Sequence, residues 1–500
     1  MYISEQWAYA LPSREGVPPE AIRAMVEEWD RRNLGVHSMM LLRHDRVIAE
    51  SWWAPYRRDE PHMLNSLTKS FTSTAIGFAV QDGLLTVEDP VVSFFPEKAA
   101  LADEHMKEMR VKHLLTMSTG HEPANADFIF HYADPVQAFL ESEVAKAPGS
   151  RFVYNTGATY MLSAIISRVT GKSALDYLQE KLFDPLDIHG ITWEHCPQGN
   201  ALGGVGLSVK TDDIAKLGLF LLHEGNWRGR QLLNAEWVRT ATAKHISNDA
   251  STQTPWLDSA DEESGAKSTA APTDWNQGYG YQFWRCVPKH VYRGDGAFGQ
   301  YCIVMPDQNA VMAITSGCSD MQAVLNVIWN TLLPAMSDSP LPDEPAAQEA
   351  LEQTLTSRRI APPVPQAVPG TLPGTRYQMA ENGAGIAEIE FAFGDRRDTL
   401  IFRTANGEFC VPAGHGKWAV QHLNVQTPRT FPFQPDTPYG DIACAGAWTA
   451  ANVYELKMVC TRSAYVRTLR FTFVGGRLTL EYYQNVACAP EGITLHGFLR

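Results

Sequence analysis

Leu64-Asn65-Ser66-Leu67-Thr68-Lys69-Ser70-Phe71 sets a serine and a lysine three residues apart at the head of a predicted helix. At that spacing the two side chains share one face about a turn apart, so a lysine amine reaches a serine hydroxyl. A serine hydroxyl becomes a nucleophile only when a neighbouring base takes its proton. A lysine serves in that base when burial or another cation lowers its pKa from about 10.4. Free N–H groups at the helix start add stabilisation for negative charge on a carbonyl under attack. Ser66 is the candidate nucleophile and Lys69 its partner.

By itself the spacing is a weak signal, because it arises about once or twice by chance in a chain of this length and then marks a solvated helix face. The flanks strengthen it. Ser66, Thr68 and Ser70 offer caps, Phe71, Ala75, Phe78 and Ala79 recur at helical spacing, and Gly83 closes the helix. A serine at the start of a buried helix suits the floor of a pocket.

Outward from this helix, residues 18–33 read as an amphipathic helix after Pro18-Pro19, and residues 37–53 as a hairpin turning at His44-Asp45-Arg46. A helical middle follows, with helices expected around 210–223 and 234–243. Residues 247–275 are polar and nearly devoid of aliphatic side chains, which predicts a loop, read here as part of a substrate entrance. Strands resume at 289–293, 300–305 and 310–316, and a helix is expected at 319–333. Strands at both ends with helices between predict one sheet closed by both ends of the region.

Residues 337–374 are dense in proline and read as a linker containing one short helix. Beyond it the period changes to two. Leu469, Phe471 and Phe473 pair through Gly475-Gly476 with Leu478, Leu480 and Tyr482, and Asn406-Gly407 signals another hairpin. The expected organisation is a catalytic α+β domain over 1–336, the linker, and an all-β domain, sandwich or barrel, over 375–500.

With 44% hydrophobic residues, 20% charged residues and a formal net charge of -14, the chain has the balance of an ordinary globular protein, and its negative field argues against nucleic acid. Met1-Tyr2-Ile3-Ser4-Glu5-Gln6-Trp7 lacks a cationic start and an apolar core, and no stretch has the apolar length of a membrane span. The expectation is a cytoplasmic protein without a membrane partner. Eight dispersed cysteines form no C-x-x-C pair and read as buried thiols.

A serine-lysine pair needs a second proton carrier for the leaving group and the water. Pro148-Gly149-Ser150-Arg151-Phe152-Val153-Tyr154-Asn155-Thr156-Gly157 offers Tyr154, in a turn before an apolar helix. A nearby ammonium favours a phenolate base. Arg293-Gly294-Asp295-Gly296-Ala297-Phe298-Gly299-Gln300 is a glycine-rich stretch leading into a strand, where a substrate lies along the edge. The N–H of Ala297 would complete an oxyanion hole with that of Ser66.

Together these pieces resemble the serine β-lactamase and penicillin-binding-protein-like hydrolases, in the class C β-lactamase-like branch with esterases and 6-aminohexanoate-oligomer hydrolases. The resemblance covers roughly residues 20–335. Val111 to Gly120, Thr211 to Gly218 and Gly278 to Trp284 are similar to further segments of that family. The resemblance implies a β-lactamase/transpeptidase-like antiparallel sheet flanked by helices, acylation of Ser66, assistance from Lys69, Tyr154 as general base, and substrate contact at Gly294, Asp295 and Gly296.

Two positions depart from the family pattern. Thr156 stands where Y-x-N has asparagine, and Gly294 where a lysine or histidine opens the third motif. Asp295 would repel a substrate carboxylate unless Arg293 compensates, so an ester or amide without that carboxylate fits better. β-Lactamase or D-amino-acid peptidase activity, acyl transfer to an amine or alcohol, and a catalytically silent ligand-binding module are the alternatives. No metal or other cofactor is expected: the 15 histidines show no ligand spacing, His121-Glu122 lacking a histidine at Asn125. Gly203-Gly204-Val205-Gly206 follows no βαβ strand and reads as a turn.

Overall fold

Val36–Arg43 (β2) and Arg46–Trp52 (β3) form the expected hairpin, with His44 and Asp45 both at positive φ, 48° and 64°. Turns of that hand match the twist of the paired strands. A computed structural model describes residues 7–122, 132–248, 273–366, 375–405, 407–423, 440–486 and 492–500. The entrance loop expected at 247–275 lies almost wholly outside the described residues.

Ala8–Tyr9 (β1) lies parallel to β3. His62–Met63 (β4), Thr192–Trp193 (β5) and Leu207–Val209 (β6) make a small separate sheet, and Asn226–Trp227 (β7) pairs with Arg230–Gln231 (β8). Trp284–Arg285 (β9), Tyr292–Gly296 (β10), Gln300–Met305 (β11) and Ala310–Ser316 (β12) complete the main sheet, whose order is β1-β3-β2-β12-β11-β10-β9. Early and late strands thus meet at the β2–β12 pair, as expected for a sheet closed by both ends of the region. The glycine-rich stretch supplies most of strand β10 and the turn that leads, as expected, into a strand, β11.

Every residue of β2 and of β12 is buried, so these strands read as apolar runs without alternation. Met40, Leu42, Val311 and Ala313 join one core, and Met39, Leu41, Met312 and Ile314 join the other. The first core holds Thr68–Gln81 (α2) and, among other helices, Glu104–Glu108 (α3), Val111–Leu115 (α4), Pro135–Glu141 (α5), Thr156–Thr170 (α6), Ala174–Leu178 (α7), Thr211–Leu222 (α8) and Ala235–Thr242 (α9). The second holds Pro19–Arg31 (α1), Met321–Val327 (α10) and Pro345–Thr356 (α11).

Helix α1 starts with Pro19 in its first turn and buries Ile22, Met25, Val26 and Trp29, one stripe at helical period. Helix α11, inside the proline-rich segment, is docked: Leu351 and Leu355 are buried with α1, and Ser51 Oγ donates to the Leu355 carbonyl at 2.7 Å.

Residues from 376 onward form Arg376–Met379 (β13), Ile386–Ala392 (β14), Arg397–Thr404 (β15), Gly407–Gly414 (β16), Ala419–Leu423 (β17), Gly440–Ala450 (β18), Val453–Cys460 (β19), Val466–Val474 (β20), Arg477–Gln484 (β21) and Ile493–Leu499 (β22). Their order is β16-β15-β14-β13-β22-β21-β20-β19-β18-β17, and a β16–β18 pairing closes nine of them into a barrel. Between sandwich and barrel, the all-β unit is a barrel. The register read from the sequence is present: Leu469, Phe471 and Phe473 face Tyr482, Leu480 and Leu478.

Six of the seven described cysteines are buried; Cys410 is exposed, against expectation, because it lies on β16 beside Glu408. Cys488 lies outside the described residues. Among the described residues no helix is long and apolar enough to cross a membrane.

Candidate active site

Ser66 sits in a short 3₁₀ turn, Asn65–Leu67, that runs into α2. The turn is entered through Asn65 at φ 48°, a left-handed conformation asparagine tolerates. Helix α2 is buried on nearly all sides from Thr68 to Ala79 although half of those residues are polar. Three of its hydroxyls are spent on tertiary partners rather than on caps: Thr68 Oγ1 accepts from the Leu207 N–H, Ser70 Oγ donates to the Gln282 carbonyl, and Thr72 Oγ1 donates to the Gly203 carbonyl. No side-chain cap closes the start of the helix.

Lys69, 2% exposed, directs its ammonium to Ser66 Oγ at 3.0 Å, to the Gly204 carbonyl at 2.9 Å and to Thr156 Oγ1 at 3.4 Å. Three acceptors match the three donors of an ammonium group, which holds the lysine in one rotamer despite its long stem. Its Nζ also lies 4.9 Å from the centre of the Tyr154 ring. Gly204 is the residue sequence reasoning missed. A Cβ there would come within 2.6 Å of Thr156 Cγ2 and 3.4 Å of Lys69 Nζ, so the glycine lets a backbone carbonyl reach the lysine. The only advance signal was the glycine cluster itself.

Tyr154 occupies the turn before α6, as expected. Asn155 caps that helix, accepting from the Ala158 N–H at 3.0 Å, and its N–H reaches Met117 Sδ at 3.3 Å. The Val153 N–H donates to the Met117 carbonyl at 2.8 Å, so the Val111–Gly120 segment sets the height of Tyr154. The Tyr154 ring stacks on Trp284 with centroids 5.7 Å apart, within an aromatic group that includes Phe152 and Tyr279. Nearby His121 is buried and bonded through both ring nitrogens, to Thr119 Oγ1 and Ser142 Oγ; burial pushes it down to about 4 and keeps it neutral.

Strand β10 closes the site against the Ser66 turn. A Cβ on Gly294 would lie 2.4 Å from Ser70 Oγ, and one on Gly296 would lie 2.0 Å from the Leu64 carbonyl oxygen and 3.0 Å from the Ser66 nitrogen. Both positions need glycine for this approach. Strand β9 pairs with β10 at Tyr292 and Arg293. The Ala297 carbonyl accepts from Asn65 Nδ2 at 2.9 Å and from Gln300 Nε2 at 3.0 Å, which fixes the plane of the turn that carries the Ala297 N–H.

Arg293 and Asp295 alternate to the other face of β10 and pair with each other, Nε and NH2 lying 2.9 and 2.8 Å from Asp295 Oδ2. Arg293 also donates to the Asp274 carbonyl at 2.9 Å and stacks 4.5 Å from the Trp275 ring. Burial is the largest single influence and lowers the guanidinium, but Asp295 together with Cys286, Asp274 and Tyr301 outweighs it and holds Arg293 above its ordinary value. The carboxylate is thus neutralised within the protein. Among the described residues no group of His, Cys, Asp or Glu is arranged to hold a metal ion.

A helix-covered sheet with serine and lysine in hydrogen-bond contact at the start of its central helix, a tyrosine over the lysine and a glycine strand beside the serine defines the β-lactamase/transpeptidase class. The β-lactamase family model matches residues 21–321, and the chain belongs to that family. Over 262 residues it is 24% identical to a 6-aminohexanoate-dimer hydrolase of Paenarthrobacter ureafaciens, covering 47% of this chain and 64% of that one. A lovastatin esterase of Penicillium rubens is 28% identical over 169 residues, 29% of this chain and 42% of that one. The chain thus matches less than two thirds of the length of either relative. An octameric penicillin-binding protein homologue from Pyrococcus abyssi shares the fold over 95% of this chain and 99% of its own, with 16% identity and a TM-score of 0.50.

Proposed function

We propose that this protein is a serine hydrolase that cleaves a neutral ester or amide through an acyl-enzyme on Ser66. The observation that carries the reading is the 3.0 Å contact between Lys69 Nζ and Ser66 Oγ, with the Tyr154 ring 4.9 Å from the same ammonium. Tyr154, assisted by the Lys69 ammonium, takes the hydroxyl proton as the Ser66 oxygen bonds to the carbonyl carbon. The N–H groups of Ser66 and Ala297 hold the oxyanion. The same proton passes to the leaving alcohol or amine as its bond breaks, and a water deprotonated by the same pair releases the acid.

The substrate side follows from charge. Gly294 offers no cation, and Arg293 is engaged with Asp295, so nothing on this edge calls for a substrate carboxylate. The two relatives are named for a dimer joined by an amide and for an ester, the two bond classes proposed here.

Wild type and Ser66→Ala are compared on a chromogenic short-chain ester and a chromogenic β-lactam, with intact protein mass followed in parallel. Ester turnover that depends on Ser66 with little β-lactam cleavage is the expected result. Faster β-lactam cleavage would overturn the substrate reading, and no turnover or acyl adduct with either compound would favour a binding module.

A further inference from the structure

The barrel reaches the candidate site through the turn between β19 and β20, residues 461–465. The Met63 N–H donates to the Arg462 carbonyl at 2.8 Å, whereas the next N–H, that of Leu64, donates to Leu207 beside β6 at 2.9 Å. The segment that delivers Ser66 is therefore held on one edge by the hydrolase half and on the other by the barrel.

The same turn grips the far side of the site. Asn485 Nδ2 donates to both the Gly317 and the Ala464 carbonyls at 2.9 Å, and a Cβ on Gly317 would lie 2.2 Å from the Ala464 oxygen. The neighbouring Cys318 N–H donates to the Phe298 carbonyl at 3.0 Å, and the Phe298 ring meets Tyr465 edge-on at 6.0 Å. Phe298 has φ 68° and directly follows Ala297, so the turn carrying that N–H meets the barrel directly through the Phe298 ring and, through the Phe298 carbonyl, is tied to Cys318, the residue after the Gly317 that the barrel holds.

We infer that the 461–465 turn of the barrel is a positioning element of the hydrolytic site: it fixes the spacing between the segment that carries Ser66 and the turn that carries Ala297. The inference rests on the reading of these two N–H groups as the oxyanion hole. A displacement of about 1 Å between catalytic groups costs up to about a hundredfold in rate, so a barrel that only tethered or solubilised the chain would behave differently.

The test uses the full chain and the rate at which a fluorophosphonate probe labels Ser66, read by intact mass: the Ser66 oxygen bonds to phosphorus as fluoride leaves, a step that draws on the same activated hydroxyl and the same oxyanion hole whatever the natural substrate. Asn485→Asp keeps the oxygen that accepts from the Val466 N–H at 2.7 Å but sets an acceptor against two carbonyls. Gly317→Ala pushes directly on Ala464, and Tyr465→Leu removes the ring from Phe298 while keeping apolar bulk. In each folded variant, labelling and kcat are expected to slow about tenfold to a hundredfold while KM changes by less than about threefold. Wild-type labelling rates in the folded variants overturn the inference. Labelling that survives in Ser66→Ala, or fails in wild type, instead removes the Ser66 assignment on which it rests.

Discussion

The hydrolase half and the barrel of this molecule bury their polar groups in opposite ways. In the hydrolase half the most buried helix is also one of the most polar, with Thr68, Lys69, Ser70, Thr72, Ser73 and Thr74 all inside. The barrel lumen is instead closed by aromatic rings. Phe391 on β14 lies 5.1 Å from Phe471 and 5.3 Å from Phe473 on β20, a strand on the opposite side of the ring. Tyr377, Trp448 and Tyr454 fill the remaining width. The buried carboxylate of this lumen, Asp398, accepts from Tyr454 Oη at 2.7 Å and His415 Nε2 at 2.8 Å.

Polar cores are expensive unless each group is bonded, and they are kept where chemistry needs them. Aromatic packing gives stability without reactivity. The difference assigns rate to the first region and rigidity to the barrel's lumen, as distinct from its 461–465 turn, and substitutions in each can break that division.

The largest expected effect is in Ser66→Ala, which lowers turnover by at least about a thousandfold while leaving the unfolding midpoint within a degree or two, checked by ester kinetics and calorimetry. Next, Tyr154→Phe keeps the ring on Trp284 but removes the hydroxyl, and turnover falls about a hundredfold to a thousandfold at unchanged stability. Phe391→Ala inverts the pattern: the cavity costs about 3–5 kcal/mol, read by denaturant titration, while kcat below the transition stays at the wild-type value. A fall in kcat with no change in stability would sink the division of labour. Gly204→Ala sharpens it on the polar side, since a methyl against Thr156 moves the carbonyl from Lys69, with a loss of about tenfold in kcat.

A last effect lies between the two regions and is set by pH. His37 Nδ1 and His62 Nε2 are 3.3 Å apart, His37 stacks on Tyr56, and Tyr56 Oη donates to the Ser463 carbonyl of the barrel at 3.0 Å. Burial pushes His62 down to about 4 and His37 well below its ordinary value. Both stay neutral when folded, whereas the unfolded chain takes up protons below about pH 6.5. Their contribution is complete above pH 6.5 and is lost as pH falls toward 4, by on the order of 3 kcal/mol for His62. His62→Gln is expected to flatten the profile of unfolding free energy between pH 6.5 and 4, and an unchanged slope would assign the acid sensitivity elsewhere.

Much of this was legible in side-chain pattern. The Ser66–Lys69 contact follows from three-residue spacing, the β20–β21 register from period two, and the β2–β3 turn from its polar tip. What escaped depends on groups with no residue signature. The Gly204 carbonyl that holds Lys69 is backbone, and a turn-forming glycine looks the same whether or not its carbonyl has work nearby. Thr68 and Ser70 look like caps, but the 3₁₀ turn ahead of α2 leaves them facing Leu207 and Gln282. Arg293 and Asp295, two apart on one strand, form a pair that only the opposite pointing of the intervening Gly294 makes plain. The barrel's grip on Met63 and Gly317 joins residues roughly 150 to 400 positions apart, beyond any local period.

The closeness of Gly294 to Ser70 bears on how this site could change over generations. A cation at this point of the third motif is one lysine codon away in principle, yet a side chain of any kind at 294 would start inside the Ser70 hydroxyl and the Leu67 methyl. The route toward carboxylate-bearing substrates thus runs first through smaller residues at 67 and 70, which are neutral or harmful until the third change arrives. The proposed substrate preference is guarded by an adaptive barrier, and selection with a β-lactam should recover changes outside 294 first.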